Sequence, residues 1–193
     1  MLIVSADPEK VEADLAVGAV PCPGCGGPLA RWGHARRREV RAEAGSVPLR
    51  PRRAWCKPCE KTHVLLPDVV LLRRVDAASV IGRALLAGSE GAGHRRVAER
   101  LGRPTDTVRG WLRRARAGAR RIREHFGAWA HALDPLLGPA GPARSVLGDA
   151  VEAIAVAARA ASLRLGPRPV WSWAVSLSAG ALLSNTNCPW PQP

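Results

Sequence analysis

Apolar positions recur along this chain at two different spacings, and the change between them divides it. Over the first third they come in short runs broken by Gly and Pro, which predicts strands and turns. Leu2-Ile3-Val4 reads as a first short strand. Asp7 then caps a helix with Pro8 at its first position, running to about Val17 and stopped by Gly18. Leu29 to His34, Arg36 to Arg41 and Val47 to Trp55 read as further strands, with Glu43 to Ser46 as a turn. Pro48 and Pro51 place the last of these at a sheet edge. Thr62 to Pro67 leads out of this region.

From Asp76 onward the spacing becomes three and four. Asp76 is expected to cap a helix carrying Val80, Ile81, Ala84 and Leu85, broken by the segment Gly88 to Gly93. Val97, Ala98 and Leu101 define a short helix, and Gly102 permits a sharp turn. Pro104 with Thr105 or Asp106 starts the next helix, whose inward face is Val108, Trp111 and Leu112. This pair is similar to a homeodomain-like helix-turn-helix. Arg120 to Leu133 continues as helix to the stop at Asp134-Pro135. Gly138 to Pro142 reads as a linker, Val146 to Leu165 as an alanine-rich helix, and Trp171 to Leu183 as a last one. The tail from Asn185 to Pro193 is expected to be mobile. The expected class is α+β: a small β zinc ribbon, then a mainly α region with the helix-turn-helix and C-terminal helices. The expected divisions are 1–70, 71–125 and 126–193.

Cysteine spacing supplies the first chemistry. Cys22 and Cys25 form one Cys-x-x-Cys pair, and Cys56 and Cys59 form a second after 30 intervening residues. Two residues between cysteines let one tight turn aim both sulfurs at a point. Two such turns close a tetrahedral shell, the arrangement that structural Zn²⁺ favours. Two disulfides or a redox pair are the alternatives. The N-terminus has no basic start or long apolar stretch that would suggest export, and no thioredoxin-like pattern surrounds either pair. His34 and His63 lie close enough in sequence to replace a sulfur, and that stays open. Cys188 reads as a free thiol. Trp32 and Trp55 are expected to pack against the metal turns.

Charge changes the picture next. The formal net charge is +13, from 29 basic and 16 acidic side chains. Residues 71–125 hold 14 of the basic groups and five of the acidic ones. A field focused in this way attracts polyanions, of which nucleic acid is the commonest. On the second helix of the pair, Arg109 and Arg113 are expected to reach guanine edges, and Thr105 and Thr107 to meet phosphates or thymine methyls. Arg95, Arg96, Arg103, Arg114, Arg116, Arg120 and Arg121 are expected at phosphates. Arg36, Arg37, Arg38, Arg50, Arg52 and Arg53 decorate the ribbon strands either as phosphate contacts or as a solvated face. No apolar stretch is long enough to span a membrane.

The Cys-Pro-x-Cys-Gly-Gly turn, Trp32-Gly33-His34, the arginine-rich strand and the Cys-x-x-Cys-x-x-Thr-His run (Cys56 to His63) resemble the N-terminal part of insertion-sequence transposases. With the helix pair, residues 1–120 resemble a short family of transposase-like helix-turn-helix proteins. The resemblance implies double-stranded DNA as the partner, with a role as regulator or transposition accessory in the cytoplasm at the nucleoid. It does not carry over transposition chemistry, which needs three carboxylates on two metal ions. Glu124, Asp134, Asp149 and Glu152 are the acids after the helix pair, and 68 residues after His125 are too few for that fold. No nucleophile with an adjacent base is present, so neither an enzyme nor a small-molecule substrate is expected. A zinc-ribbon module for protein–protein interaction is the alternative, and the apolar C-terminal helices suggest a homodimer.

Overall fold

The computed structural model describes residues 1–138, 141–184 and 190–193. The order of elements is β1 (Leu2–Val4), α1 (Pro8–Ala16), β2 (Ala30–His34), β3 (Arg38–Ala42), β4 (Gly45–Leu49), β5 (Arg52–Cys56), β6 (Lys61–Pro67), then α2 (Ala78–Ser89), α3 (His94–Leu101), α4 (Thr105–Ala117), α5 (Ala119–Leu133), α6 (Val146–Leu165) and α7 (Val170–Leu177). The class is α+β, a small β region followed by helices.

Local chemistry explains most boundaries. The Asp7 carboxylate accepts from the Glu9 and Lys10 amides at 2.9 and 3.4 Å, and Pro8 gives up no needed donor at the first turn. Ser145 caps α6 through the Gly148 amide at 3.0 Å. Gly102 ends α3 in the left-handed region at φ 59°, a conformation that costs other residues strain.

Four strands form one sheet in the order β1-β6-β5-β2. β1 pairs parallel with β6, while β5 is antiparallel to both neighbours. The segment expected only to lead out of the ribbon is therefore a central strand. Its period-2 pattern was hidden because both of its faces are used: Leu65 faces the α1 side and Leu66 the helices. The expected strand from Val47 to Trp55 is two strands. β4 pairs only with β3, in a separate hairpin, and β5 belongs to the sheet.

The sheet's inner face packs against α1 through Val11, Leu15, Leu29, Ala54 and Leu65. A second, larger core joins α2 to α7, with Ile81, Leu85, Leu112, Ile122, Phe126 and Ile154 at most 2% exposed. Ala150, Ala153, Ala157 and Ala161 line the buried side of α6, and such small side chains let α5 approach closely. Gly82 on α2 lies against the Trp171 ring, leaving no room for a Cβ. This core runs through both the proposed 71–125 and 126–193 segments. The boundary at 125/126 falls inside α5, because one helix supplies Ile122 and Phe126 to the same core.

Three further expectations are corrected by long-range contacts. Asp76 does not cap α2. It is 3% exposed in its side chain and forms ion pairs with Arg41 and Arg103, each at 2.7 Å. The last helix ends at Leu177, where Ala179 and Gly180 turn the chain with positive φ. Within the tail, Trp190 is buried against Phe126 and His125, with the Arg121 guanidinium 4.2 Å over its ring. Cys188 lies outside the described residues.

Candidate metal centre and nucleic-acid interface

Each Cys-x-x-Cys pair sits on a tight turn. The Cys22 turn closes through the Gly26 amide on the Cys22 carbonyl at 2.9 Å and the Cys22 amide on the Gly27 carbonyl at 2.7 Å. The second turn leaves β5 at Cys56 and enters β6 at Lys61, with Glu60 at φ 52°. Sheet pairing thereby brings two segments far apart in sequence to one point. The Sγ atoms of Cys22, Cys25, Cys56 and Cys59 all lie within 4.8 Å of one another. Cys22 and Cys59 are 3.9 Å apart, and Cys25 and Cys56 are 3.5 Å apart. An ion held tetrahedrally by thiolates sets its sulfurs roughly 3.8 Å apart. The four cysteines can therefore hold a metal ion.

The protonation chemistry of the four is uneven. The Gly24 amide donates to Cys22 Sγ at 3.4 Å and is the main reason its pKa falls to about 6. Cys59 is pushed up to about 12, first by its hydrogen bond with Cys25. Burial raises Cys56. Cys22 is thus the readier thiolate, and a bound cation would have to displace the protons of Cys56 and Cys59. His63 Nε2 approaches Cys22 Sγ to 3.6 Å from outside the four-sulfur group. His34 pairs with Arg52 at the end of β5 opposite Cys56, so it is not a neighbour of this cluster.

The helix pair is the second site. Val97 and Ala98 of α3 and Val108, Trp111 and Leu112 of α4 are buried as their spacing predicts, Leu101 is half-buried, and Ala115 of α4 is buried as well. The turn between them is Gly102-Arg103-Pro104. Outward on α4 stand Thr105, Asp106, Arg109, Arg113 and Arg116, all exposed, with Thr107 half-buried. Arg109, Arg113 and Arg116 occupy successive turns of one face. Arg109 is lightly held by Asp106 at 3.1 Å, and Arg113 makes no ion pair among the described residues. Arg95 and Arg96 are exposed on α3.

Two of the expected phosphate contacts have partners within the protein, Arg103 in its interior and Arg121 at its surface. Arg103 bonds Asp76 through Nε and the Ala42 carbonyl through Nη2, both at 2.7 Å, and keeps 13% side-chain exposure. It ties the helix turn to the β3–β4 hairpin. Arg121 lies over Trp190. Arg114 is half-buried, donates to the Gly110 carbonyl at 3.2 Å and adds its charge to the burial that lowers the pKa of Arg74. Sequence reasoning missed Asp76 as the joint of this region. An Asp with arginines distant in sequence carries no local signal.

Trp32 and Trp55 also differ from expectation. Trp55 is half-buried, but Trp32 is 57% exposed and stacks on it with ring centroids 5.2 Å apart. Alternation along β2 puts Trp32 on the face of Ala30 and its partner Trp55, and the ladder has a bulge between Arg31 and Gly33.

Residues 22–111 match a family model described as a domain of unknown function (DUF6431). The match runs from the first cysteine into α4, so it takes in all four clustered cysteines and, of the α4 row, Arg109 but not Arg113 or Arg116. No curated protein and no solved structure matches the chain. Among the described residues, no helix is long and apolar enough to cross a membrane.

Proposed function

We propose that this protein binds double-stranded DNA through a helix-turn-helix formed by α3 and α4, held beside a structural zinc ribbon. The observation that carries the reading is the row Arg109, Arg113 and Arg116. It is exposed on the second helix of a pair whose other face is fully packed. A cationic helix about 10–12 Å across suits the major groove, where arginine recognises guanine bidentately. Arg95 and Arg96 add charge for the phosphates. Zinc is the ion we assign to the four cysteines. Four thiolates leave no open coordination position, so its role is to hold the ribbon together and not to activate water.

The role that follows is site recognition, as a regulator or an accessory of a mobile element. The test is fluorescence anisotropy with the zinc-loaded chain and random and selected duplexes at several salt concentrations. Affinity is expected to fall steeply with salt. Arg109→Ala should lower affinity for the selected site by roughly tenfold and relax its preference. Arg113→Ala should do the same at a neighbouring base. Absence of duplex binding at low ionic strength, or variants indistinguishable from the parent, would remove the reading. Elemental analysis should find one zinc per chain.

A second reading, docking onto a protein or a second copy, is favoured by Leu163, Leu165 and Val170, which the fold leaves exposed. Sedimentation that finds only monomer would remove the self-association form of it.

A further inference from the structure

The outer face of the four-stranded sheet is covered at one end and bare at the other. Register places Ile3 beside Leu66, and both pack against the helical core. On the same face, two and four residues back along β6, stand Val64 and Thr62, paired with Arg53 and Trp55. Nothing among the described residues covers the Trp32 ring beside them. It lies nearly parallel to Trp55, at 26°, so that its free face is presented to solvent on a second ring that fixes its orientation.

Cations stand along the same face. A cleft of about 490 Å³ opens beside Val64, lined by Arg36, Arg37, Arg38, Met1, Ala35 and Pro51. The three arginines are exposed, and Arg37 has only a distant carboxylate, Glu39 at 3.9 Å. Arg36 and Arg38 make no ion pair among the described residues. Arg53 reaches across the sheet to the Thr62 hydroxyl at 2.7 Å. The Cys56–Cys59 turn adds exposed Lys57.

We infer that this face binds an unpaired nucleic-acid strand, one base stacking on Trp32 while neighbouring phosphates lie along Arg36, Arg37 and Arg38. Two features select this occupant. An exposed, pre-oriented indole is a sequence-tolerant surface for a base, whose π-face is free only when unpaired. The charge around it is cationic, which suits phosphates and opposes a basic partner. A duplex buries its base faces and cannot use the indole. The strand site is separate from the α4 arginine row and rests on different residues, so it stands if the duplex reading fails.

The test uses the full zinc-loaded chain with a fluorescein-labelled oligothymidylate and, separately, a duplex of the same length, each at two salt concentrations. Trp32→Ala should weaken oligothymidylate binding roughly tenfold. Trp32→Phe should keep most of it, since a ring remains. Duplex binding should be unchanged in both. Arg36→Ala with Arg38→Ala should flatten the salt dependence for the single strand while leaving zinc content at one per chain, which keeps the test decisive should Trp32→Ala misfold. Arg109→Ala should show the reverse pattern, with the single strand retained. Equal affinity of the parent and both ribbon variants for oligothymidylate, or no binding at low salt, overturns the proposal. So does a protein contact at this face, seen as self-association lost in Trp32→Ala without any oligonucleotide binding.

Discussion

The ribbon and the helical region bury their interiors by different means. Around α1 and the sheet, the buried set is Val11, Leu15, Val20, Cys22, Leu29, Ala54, Cys56 and Leu65. Two of these are cysteines of the four-sulfur group and one is alanine. Three leucines and two valines make a thin apolar core for a region of this size. The helical region has Phe126, Trp111, Trp173 and a long series of Leu, Ile, Val and Ala packed in one cluster. Small β domains commonly rely on a metal where the apolar core is thin, and the four cysteines stand where that need is greatest.

Removing the metal should separate the two regions most strongly. Chelation, or Cys56→Ser, should remove on the order of 10 kcal/mol of support from the ribbon. Protease cleavage should then appear between about residues 20 and 60, while the helical circular-dichroism signal persists. Loss of both together would mean that the ribbon is integral to the helical core.

Asp76 joins the two regions, and breaking it is the next test. Asp76→Ala leaves Arg103 without its carboxylate and frees Arg41, whose backbone bonds Val75 and Ala77 and so docks the β3–β4 hairpin. Loss of a buried pair costs roughly 3–5 kcal/mol. The lower end is expected because Arg41 keeps 37% side-chain exposure. Urea unfolding measures it, and duplex affinity should fall as the α3–α4 turn loosens. An unchanged midpoint would show that apolar packing alone joins hairpin and helices.

The smallest effect belongs to the helical core. His125 is 8% exposed, and its Nε2 lies 2.8 Å from the Leu177 carbonyl. Burial, followed by the charge of Arg121, lowers its pKa against that hydrogen bond. The folded state therefore takes up a proton less readily than the unfolded chain. Its contribution is fully present above about pH 6.5 and is lost as pH falls below that value. Melting temperature should decline from pH 7 toward pH 5, and more steeply in the parent than in His125→Gln. Equal slopes would show that His125 does not set the acid sensitivity of this region.

What could be read in advance was what a single turn of chain decides. The Asp7 cap, the Cys-x-x-Cys turns, the Gly102 stop and the limits of α6 each depend on residues within a few positions. So do the buried and exposed faces of α4. Asp76 was misread for the same reason: its neighbours suit a cap, and only Arg41 and Arg103, 35 and 27 residues away, draw it elsewhere. Trp32 is expected against the metal turns, but it stacks on Trp55 on a face of the sheet that the fold leaves open at that end.

The amino-acid order by itself determined the α+β class, the four sulfurs as a group, and which residues of the α3–α4 pair face inward. These follow from backbone geometry and periodicity, which act over a few residues. Tertiary structure alone decided that β6 lies at the centre of the sheet, that Arg103 turns inward to Asp76, and that Trp190 closes the helical core under the Arg121 guanidinium. Those outcomes depend on which distant side chains meet, and a buried charge or ring takes its partner from wherever the fold delivers one.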